Sequence, residues 1–181
     1  MKNGEDQSSF RDPSGSVYYK NNVLYRSINH CYKDDYDLFI NSGLYDELVS
    51  IKAIIPHIEI DNNDNSVYKI IKPEIIPFIS FPYEWCFSQL KEAALLTLKI
   101  QKTALKYGMS LKDSSAYNIQ FLGYKPVFID TLSFEKLVSG KPWVAYRQFC
   151  KHFLAPLALM GLKDVRLGQL LKSYIDGLPL D

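Results

Sequence analysis

The sequence has few of the residues that would identify the commonest kinds of chemical site. Its 181 residues include three cysteines and three histidines. The cysteines lie far from one another, as do the histidines, and no two cysteines form a CxxC pair, so a His/Cys zinc site is not predicted. An odd number of distant cysteines is typical of reduced thiols inside the cell.

Charge of one sign and long apolar runs are also lacking. The 21 Lys and Arg residues balance 20 Asp and Glu residues, so no basic excess is available for nucleic acid. The most apolar run, residues 153–162, contains a proline and is shorter than the ~20 residues of a membrane span. The polar start has no apolar core of a signal peptide. We therefore predict a soluble cytoplasmic protein without a membrane or nucleic-acid partner.

The rest of the composition is sufficient for a packed core, with 47% hydrophobic and 14% aromatic residues. Three prolines in residues 72–83, KPEIIPFISFPY, predict a stiff extended connector. We place a boundary there, between a small β-rich lobe at 15–80 and a helical lobe at 81–181. Residues 1–14 are predicted to be a disordered tail. The predicted fold class is α+β.

The first lobe is predicted to contain strands and a broken helix. Residues 17–28 are two aromatic and β-branched runs around two asparagines, a pattern typical of a hairpin. Residues 32–55 have the apolar spacing of a helix, interrupted near Gly43. Residues 58–71 alternate as two strands around an Asx-rich turn at 61–65.

The second lobe opens with the strongest helical pattern of the chain. Residues 84–107 carry a wide apolar stripe, and Gly108 ends the helix. We predict that Leu98 and Leu105 on this stripe are buried against a helix that begins near Trp143.

Residues 109–135, MSLKDSSAYNIQFLGYKPVFIDTLSFE, carry three oxygen side chains in a distinctive order. Asp113 is followed five residues later by Asn118, and the apolar run Val-Phe-Ile delivers Asp130 at its end. We predict a hairpin at about 119–129, with the only strands of this lobe. The hairpin would hold the three side chains on a rigid support.

This set of side chains suits phosphoryl transfer, which needs positioning and charge neutralisation more than covalent help. Magnesium prefers oxygen ligands and commonly takes one or two carboxylates together with substrate phosphates. Asn118 and Asp130 could supply such ligands, and Asp113 could accept a proton from a hydroxyl group. The alternative is that Asp113 and Asn118 only cap turns while Asp130 ends a strand.

Residues 109–134 resemble the catalytic segment of the protein-kinase-like superfamily, in particular its aminoglycoside and small-molecule phosphotransferase branch. Asp113 stands where that family has the Asp of His-Arg-Asp or His-Gly-Asp, and Asp130 stands where it has the Asp of Asp-Phe-Gly. The resemblance implies a two-lobed kinase-like fold with a truncated C-terminal lobe. It also implies ATP and magnesium as cofactors, Asp113 as base, Asn118 and Asp130 as metal ligands, and a small hydroxyl-bearing substrate.

The sequence departs from that family at two points. No histidine precedes Asp113, and no glycine-rich loop precedes a strand lysine. Arg26, in VLYRSI, and Lys69 are the two candidates for the cation that contacts phosphate, although neither lies in a Val-Ala-Ile-Lys context. An active phosphotransferase and a non-catalytic domain therefore both stay open.

A second resemblance covers most of the chain from about Phe10 onward. The segments FPYEWCFSQLKEAALLTLKIQK and KPWVAYRQFCKHFLAPLALM are similar to the N-terminal region of bacterial S-adenosylmethionine-dependent methyltransferase sequences related to nodulation proteins. In those longer proteins the methyltransferase domain lies downstream. The resemblance implies an accessory module that binds substrate or that downstream domain. No strand followed by a glycine-rich turn is present, so S-adenosylmethionine is not expected to bind this chain.

Overall fold

The computed structural model describes residues 4–5, 12–61 and 65–180. Most of the tail predicted at 1–14, and the centre of the Asx-rich turn predicted at 61–65, lie outside these residues. The described part contains both helices and strands. The predicted α+β fold class is therefore confirmed.

A five-stranded antiparallel sheet occupies the first part of the chain, in the spatial order β1-β2-β3-β5-β4. Its strands are β1 Gly4–Glu5, β2 Val17–Lys20, β3 Val23–Ile28, β4 His57–Ile60 and β5 Lys69–Pro73. Asn21 and Asn22, between β2 and β3, have φ angles of 52° and 61°. Two-residue hairpin turns need this left-handed backbone, so the predicted hairpin is confirmed.

Two helices follow the hairpin, α1 Lys33–Asn41 and α2 Leu44–Ser50. Gly43 separates them with a φ of 87°, which confirms the predicted break. The helical stretch was predicted to reach residue 55 but ends at Ser50. Residues 53–55 run extended because they exchange two backbone hydrogen bonds with Phe128, at 2.8 and 2.9 Å.

The second part contains further helices and two short β-ladders. Its α-helices and strands are α3 Phe87–Lys106, β6 Met109–Leu111, β7 Ile119–Leu122, β8 Lys125–Phe128, β9 Phe134–Lys136, α4 Tyr146–Phe149 and α5 Ala155–Leu162. Its 3-10 helices are at Pro82–Glu84, Ala116–Asn118 and Val165–Lys172. β7 pairs with β8 as predicted, but β6 also pairs with β9. The prediction of strands only at 119–129 was therefore wrong: β6 and β9 bury apolar side chains by pairing across a sequence gap.

The inward face of α3 was also predicted wrongly. Leu98 is 42% exposed and Leu105 is 44% exposed. The side chains of α3 that are buried are Leu90, Ala93, Ala94, Thr97, Ile100, Gln101, Thr103 and Ala104. Most of these are small or β-branched. A helix with such a stripe can approach its neighbours closely, so the larger leucines lie on its flank.

This corrected face gives a stability prediction. Ile100 is fully buried, so Ile100→Ala should lower the free energy of unfolding by ~2–5 kcal/mol. Leu98→Ala, two residues away, should change it by less than ~1 kcal/mol, because its side chain is already partly in water. Urea denaturation of both variants measures the difference. Equal losses would contradict the assigned face.

The helix predicted to begin near Trp143 starts at Tyr146 and continues past Pro156. Helix α4 continues through a π-helical turn at Cys150–Leu154 directly into α5, whose second residue is Pro156. Proline cannot donate the usual helical hydrogen bond and its ring crowds the preceding turn. The widened turn accommodates both effects, so Pro156 does not end the helix.

One hydrophobic core crosses the predicted boundary between the lobes. It contains Phe39 of α1, Leu44 of α2 and Ile100 of α3, together with Phe128 and Phe134. Helices from both sides of the connector therefore share a core. None of the helices in the described ranges is long and apolar enough to cross a bilayer.

Candidate functional site

The predicted site residues meet at one cavity of about 770 Å³. The strands β2 and β3, the connector and the segment after β6 line it. Arg26, Asp113, Asn118 and Asp130 are all among its lining residues. Lys69 is not. The structure thus brings together four of the five residues that the sequence singled out.

The two short ladders explain why these side chains converge. Asn118 directly precedes β7, and its carbonyl accepts a hydrogen bond of 2.8 Å from the N–H of Ile129, just after β8. The N–H of Lys112, just after β6, donates to the carbonyl of Ser133, just before β9, also at 2.8 Å. One ladder therefore holds Asn118 beside Asp130, and the other holds the segment of Asp113 beside the same turn.

Asp130 is a partly buried carboxylate of the cavity, and Arg26 contacts it. Its Oδ1 accepts hydrogen bonds from the guanidinium of Arg26 and from the N–H of Leu132, the latter at 2.9 Å. Burial of the carboxylate by itself raises the pKa of Asp130. The charge of Arg26 and hydrogen bonds from Leu132, Ser133 and Arg26 outweigh it, so this pKa lies below its ordinary value. Asp130 is therefore ionised at neutral pH.

Arg26 and Lys69, the two candidate cations, lie in different surroundings. Arg26 is held between Asp130 and Asp12, whose carboxylate is 3.4 Å from the guanidinium, and its side chain is 12% exposed. Lys69 instead donates to Glu59 at 2.6 Å, where both side chains are more than a third exposed. Lys69 is therefore paired with Glu59 on the surface and does not line the cavity.

Asp113 and Asn118 are oriented by local hydrogen bonds. Asp113 Oδ1 accepts from the N–H of Ser115 at 2.9 Å, as in the turn-capping alternative. The side-chain amide of Asn118 donates to Ser133 Oγ at 3.3 Å. A carboxylate has two oxygens and several lone pairs, so capping a turn does not prevent Asp113 from accepting a further proton.

Sequence reasoning missed Lys112 as a residue of this cavity. Its Nζ donates to Ser14 Oγ at 2.7 Å and lies 4.4 Å from the centre of the Tyr32 ring. Lys112 directly precedes Asp113 in the sequence. This position next to the candidate base could have indicated that Lys112 belongs to the cavity. Lys112 is a second cation at the cavity, beside Arg26.

Asp12, which pairs with Arg26, carried no such signal because it falls in the predicted tail. It reaches the site because Gly15 packs tightly against β3. A Cβ at Gly15 would lie 2.0 Å from the carbonyl oxygen of Ser27. Only glycine permits this approach, which keeps residues 12–15 at the edge of the cavity.

A second cavity, also of about 770 Å³, shares Asp113 and Asn118 with the first. Its other lining residues are Ser115, Tyr117, Val144, Arg147, Gln148, Lys151, His152, Ile175 and Asp176. Burial lowers the pKa of His152 from 6.5 to about 4, although Asp113 acts in the opposite direction. His152 is therefore neutral at pH 7. The loop that carries Asp113 and Asn118 thus contributes to the walls of both cavities.

The depressed pKa of His152 predicts a stability loss in mild acid. In the unfolded chain the imidazole of His152 binds a proton at about pH 6.5, whereas in the folded chain it does so only near pH 4. Stability due to neutral His152 is thus complete above pH 6.5 and is lost as the pH falls towards 4. His152→Gln should reduce the slope of unfolding free energy in this window by about 1.4 kcal/mol per pH unit. Urea denaturation at several pH values measures the slope, and the exposed His30→Gln is the control.

The fold and the site together define an α+β protein with a cleft lined by four carboxylates, one side-chain amide and two cations. Comparison with known proteins adds a relative. No family model matches the chain. It is similar to nodulation protein NoeA of Rhizobium meliloti (strain 1021), with 33% identity over 180 residues. The match covers 97% of this chain and 38% of that protein.

Among solved structures, the chain is similar to WaaP in complex with acyl carrier protein, with 9% sequence identity. The match covers 97% of this chain and 79% of WaaP, at a TM-score of 0.41. That score is too low to establish a shared fold.

Proposed function

We propose that this chain is a kinase-like domain that transfers a phosphoryl group from magnesium-ATP to a small hydroxyl-bearing substrate. The observation that carries the proposal is the convergence of Arg26, Asp113, Asn118 and Asp130 on one cavity. Arg26 and Asp130 are 104 residues apart in the sequence. Such a convergence of a candidate base, metal-type oxygens and a cation suits phosphoryl transfer.

The lining of the first cavity offers both kinds of contact that a nucleotide needs. Its apolar side chains would cover a base; they are Val17, Leu24, Ile55, Ile75, Ile76 and Ile79. Its cations, Arg26 and Lys112, would contact phosphate oxygens. Asp12 and Asp130 hold the guanidinium of Arg26 in place.

The oxygen ligands of this cavity fit magnesium better than a transition metal. Within the described ranges, no group of three or more His, Cys, Asp or Glu side chains could hold a metal by itself. Asn118 and Asp130 offer an amide oxygen and an ionised carboxylate, and magnesium usually completes such a set with water and substrate phosphates. When bound, the ion would neutralise charge on the transferred group.

In this proposal Asp113 is the general base. It lines both cavities, so its carboxylate can accept the proton of a hydroxyl group that enters from the second cavity. The bond from Ser115 fixes its orientation. A positioned base of this kind typically contributes about 10²–10⁴-fold to a rate.

Thermal denaturation in the presence of nucleotide tests the proposal. Magnesium-ATP should raise the melting temperature, because a ligand at 100 times its Kd stabilises the folded state by about 2.7 kcal/mol. Magnesium alone and ATP with a chelator are the controls. The absence of any shift at millimolar magnesium-ATP would contradict nucleotide binding.

A second candidate is a non-catalytic accessory module of a bacterial methyltransferase-related protein. It is favoured by the hydrogen bonds that Asp113 and Asp130 already make within the protein. The chain also spans only 38% of the length of NoeA, so a downstream domain is a candidate partner. In this case magnesium-ATP would give no shift, and Asp113→Ala would act only on loop stability.

A further inference from the structure

We propose that the second cavity binds the acceptor, and that this acceptor carries an anionic group, a carboxylate or a phosphate, beside its hydroxyl groups. The assignment of this cavity as the acceptor site rests on the proposed function. The binding of a hydroxylated anion in the cavity does not rest on it, because that binding requires no nucleotide.

The position of the cavity supports the first half of the proposal. Asp113 and Asn118 line both cavities, so a molecule in the second one reaches the candidate base from the side opposite the nucleotide. Ser114 fixes this wall: its N–H donates to Gln148 Oε1 at 2.7 Å, and its hydroxyl donates to the carbonyl of Ala145 at 2.9 Å.

The charges of the lining support an anionic ligand. Arg147 and Lys151 lie four residues apart on the α4 and π-helical stretch, so they are on the same side of it. The opposing carboxylates are Asp113 and Asp176. The lining thus has two cations and two carboxylates, and both cations lie on one helical stretch, where a single anionic group can contact the two together.

His152 supplies a polar contact for a hydroxylated ligand. The residue is 3% exposed, and its Nδ1 is buried without a hydrogen-bond partner in the part of the chain that the structure describes. Its ring meets Tyr117 edge-on at 6.2 Å between centroids. A neutral imidazole can donate to or accept from a sugar-like hydroxyl group. An unpaired buried nitrogen is costly to leave unsatisfied, so such a contact would be favourable.

Three probes with one ring scaffold test the charge: glucuronate, glucose and glucosamine, which are anionic, neutral and cationic. Each is titrated to tens of millimolar, without nucleotide, while the imidazole NMR signals of the three histidines are followed. His152→Asn identifies the signal of His152. We expect glucuronate to shift that signal at the lowest concentration. Lys151→Gln and Arg147→Gln should each weaken its binding by about tenfold, and the exposed Lys91→Gln should not.

An equal response to all three probes, a preference for glucosamine, or no response to any of them would overturn the proposal. So would glucuronate binding that Lys151→Gln and Arg147→Gln leave unchanged. Glucuronate binding without a magnesium-ATP shift would uphold the anion site and remove the phosphotransferase. A magnesium-ATP shift without selective glucuronate binding would support nucleotide binding and overturn the anion site. The failure of one proposal is therefore distinguishable from the failure of the other.

Discussion

Replacing Asp113 with asparagine is expected to reduce phosphoryl transfer by about 10²–10⁴-fold while leaving the magnesium-ATP shift nearly unchanged. Asparagine keeps an oxygen for the N–H of Ser115, which bonds Asp113 Oδ1 at 2.9 Å, so the turn is retained. It loses only the capacity to take a proton. ADP formation, with an acceptor or with water, measures the rate, and thermal denaturation measures nucleotide binding.

Asp130→Asn is the matched variant, because it also exchanges one carboxylate for an amide in the same cavity. It should abolish the magnesium-ATP shift, since the proposed metal ligand loses its charge. The two substitutions therefore separate binding from chemistry. Full transfer activity in Asp113→Asn would contradict its assignment as the base. An unchanged magnesium-ATP shift in Asp130→Asn would contradict its assignment as a metal ligand.

The second large effect concerns the ion pair at the centre of the cavity. Arg26→Ala is expected to lower the free energy of unfolding at pH 7 by about 3–5 kcal/mol. The side chains of Arg26 and Asp130 are 12% and 19% exposed, so the substitution leaves a largely desolvated carboxylate without its cation. Urea denaturation of the variant and the wild-type protein measures the loss.

Asp130→Asn in the Arg26→Ala background is the control, because it removes the stranded charge and should recover part of the loss. The pH dependence gives a second check. The depressed pKa of Asp130 contributes stability above its ordinary value of 3.8, and that contribution is lost as the pH falls through the lower folded value. The difference in unfolding free energy between Arg26→Ala and the wild-type protein should therefore become smaller in acid. A loss below ~1 kcal/mol would show that the pair is no more than a surface contact.

The acid sensitivity from His152 and the stability cost of Ile100→Ala are independent of any activity. Both follow mainly from the burial of these side chains. They therefore test the packing of the second cavity and of α3, even if the chain proves to be an accessory module.

Local chemistry in the sequence determined the turns and the order of the site residues. Two adjacent asparagines set the left-handed hairpin turn, and Gly43 set the break between α1 and α2, because few other residues adopt positive φ at low cost. The apolar run before Asp130 was also recognisable as a strand. These features depend on neighbours within a few residues, so no knowledge of the rest of the fold was needed.

The tertiary structure decided which distant residues meet. Arg26 and Lys69 were equal candidates by sequence, and only the antiparallel order of the sheet placed Arg26 against Asp130 and Lys69 against Glu59. The inward face of α3 depended likewise on close packing by small side chains, which hydrophobicity along one helix does not show. Contacts between residues so far apart in the sequence depend on the packing of the whole core. Local sequence patterns therefore do not predict them.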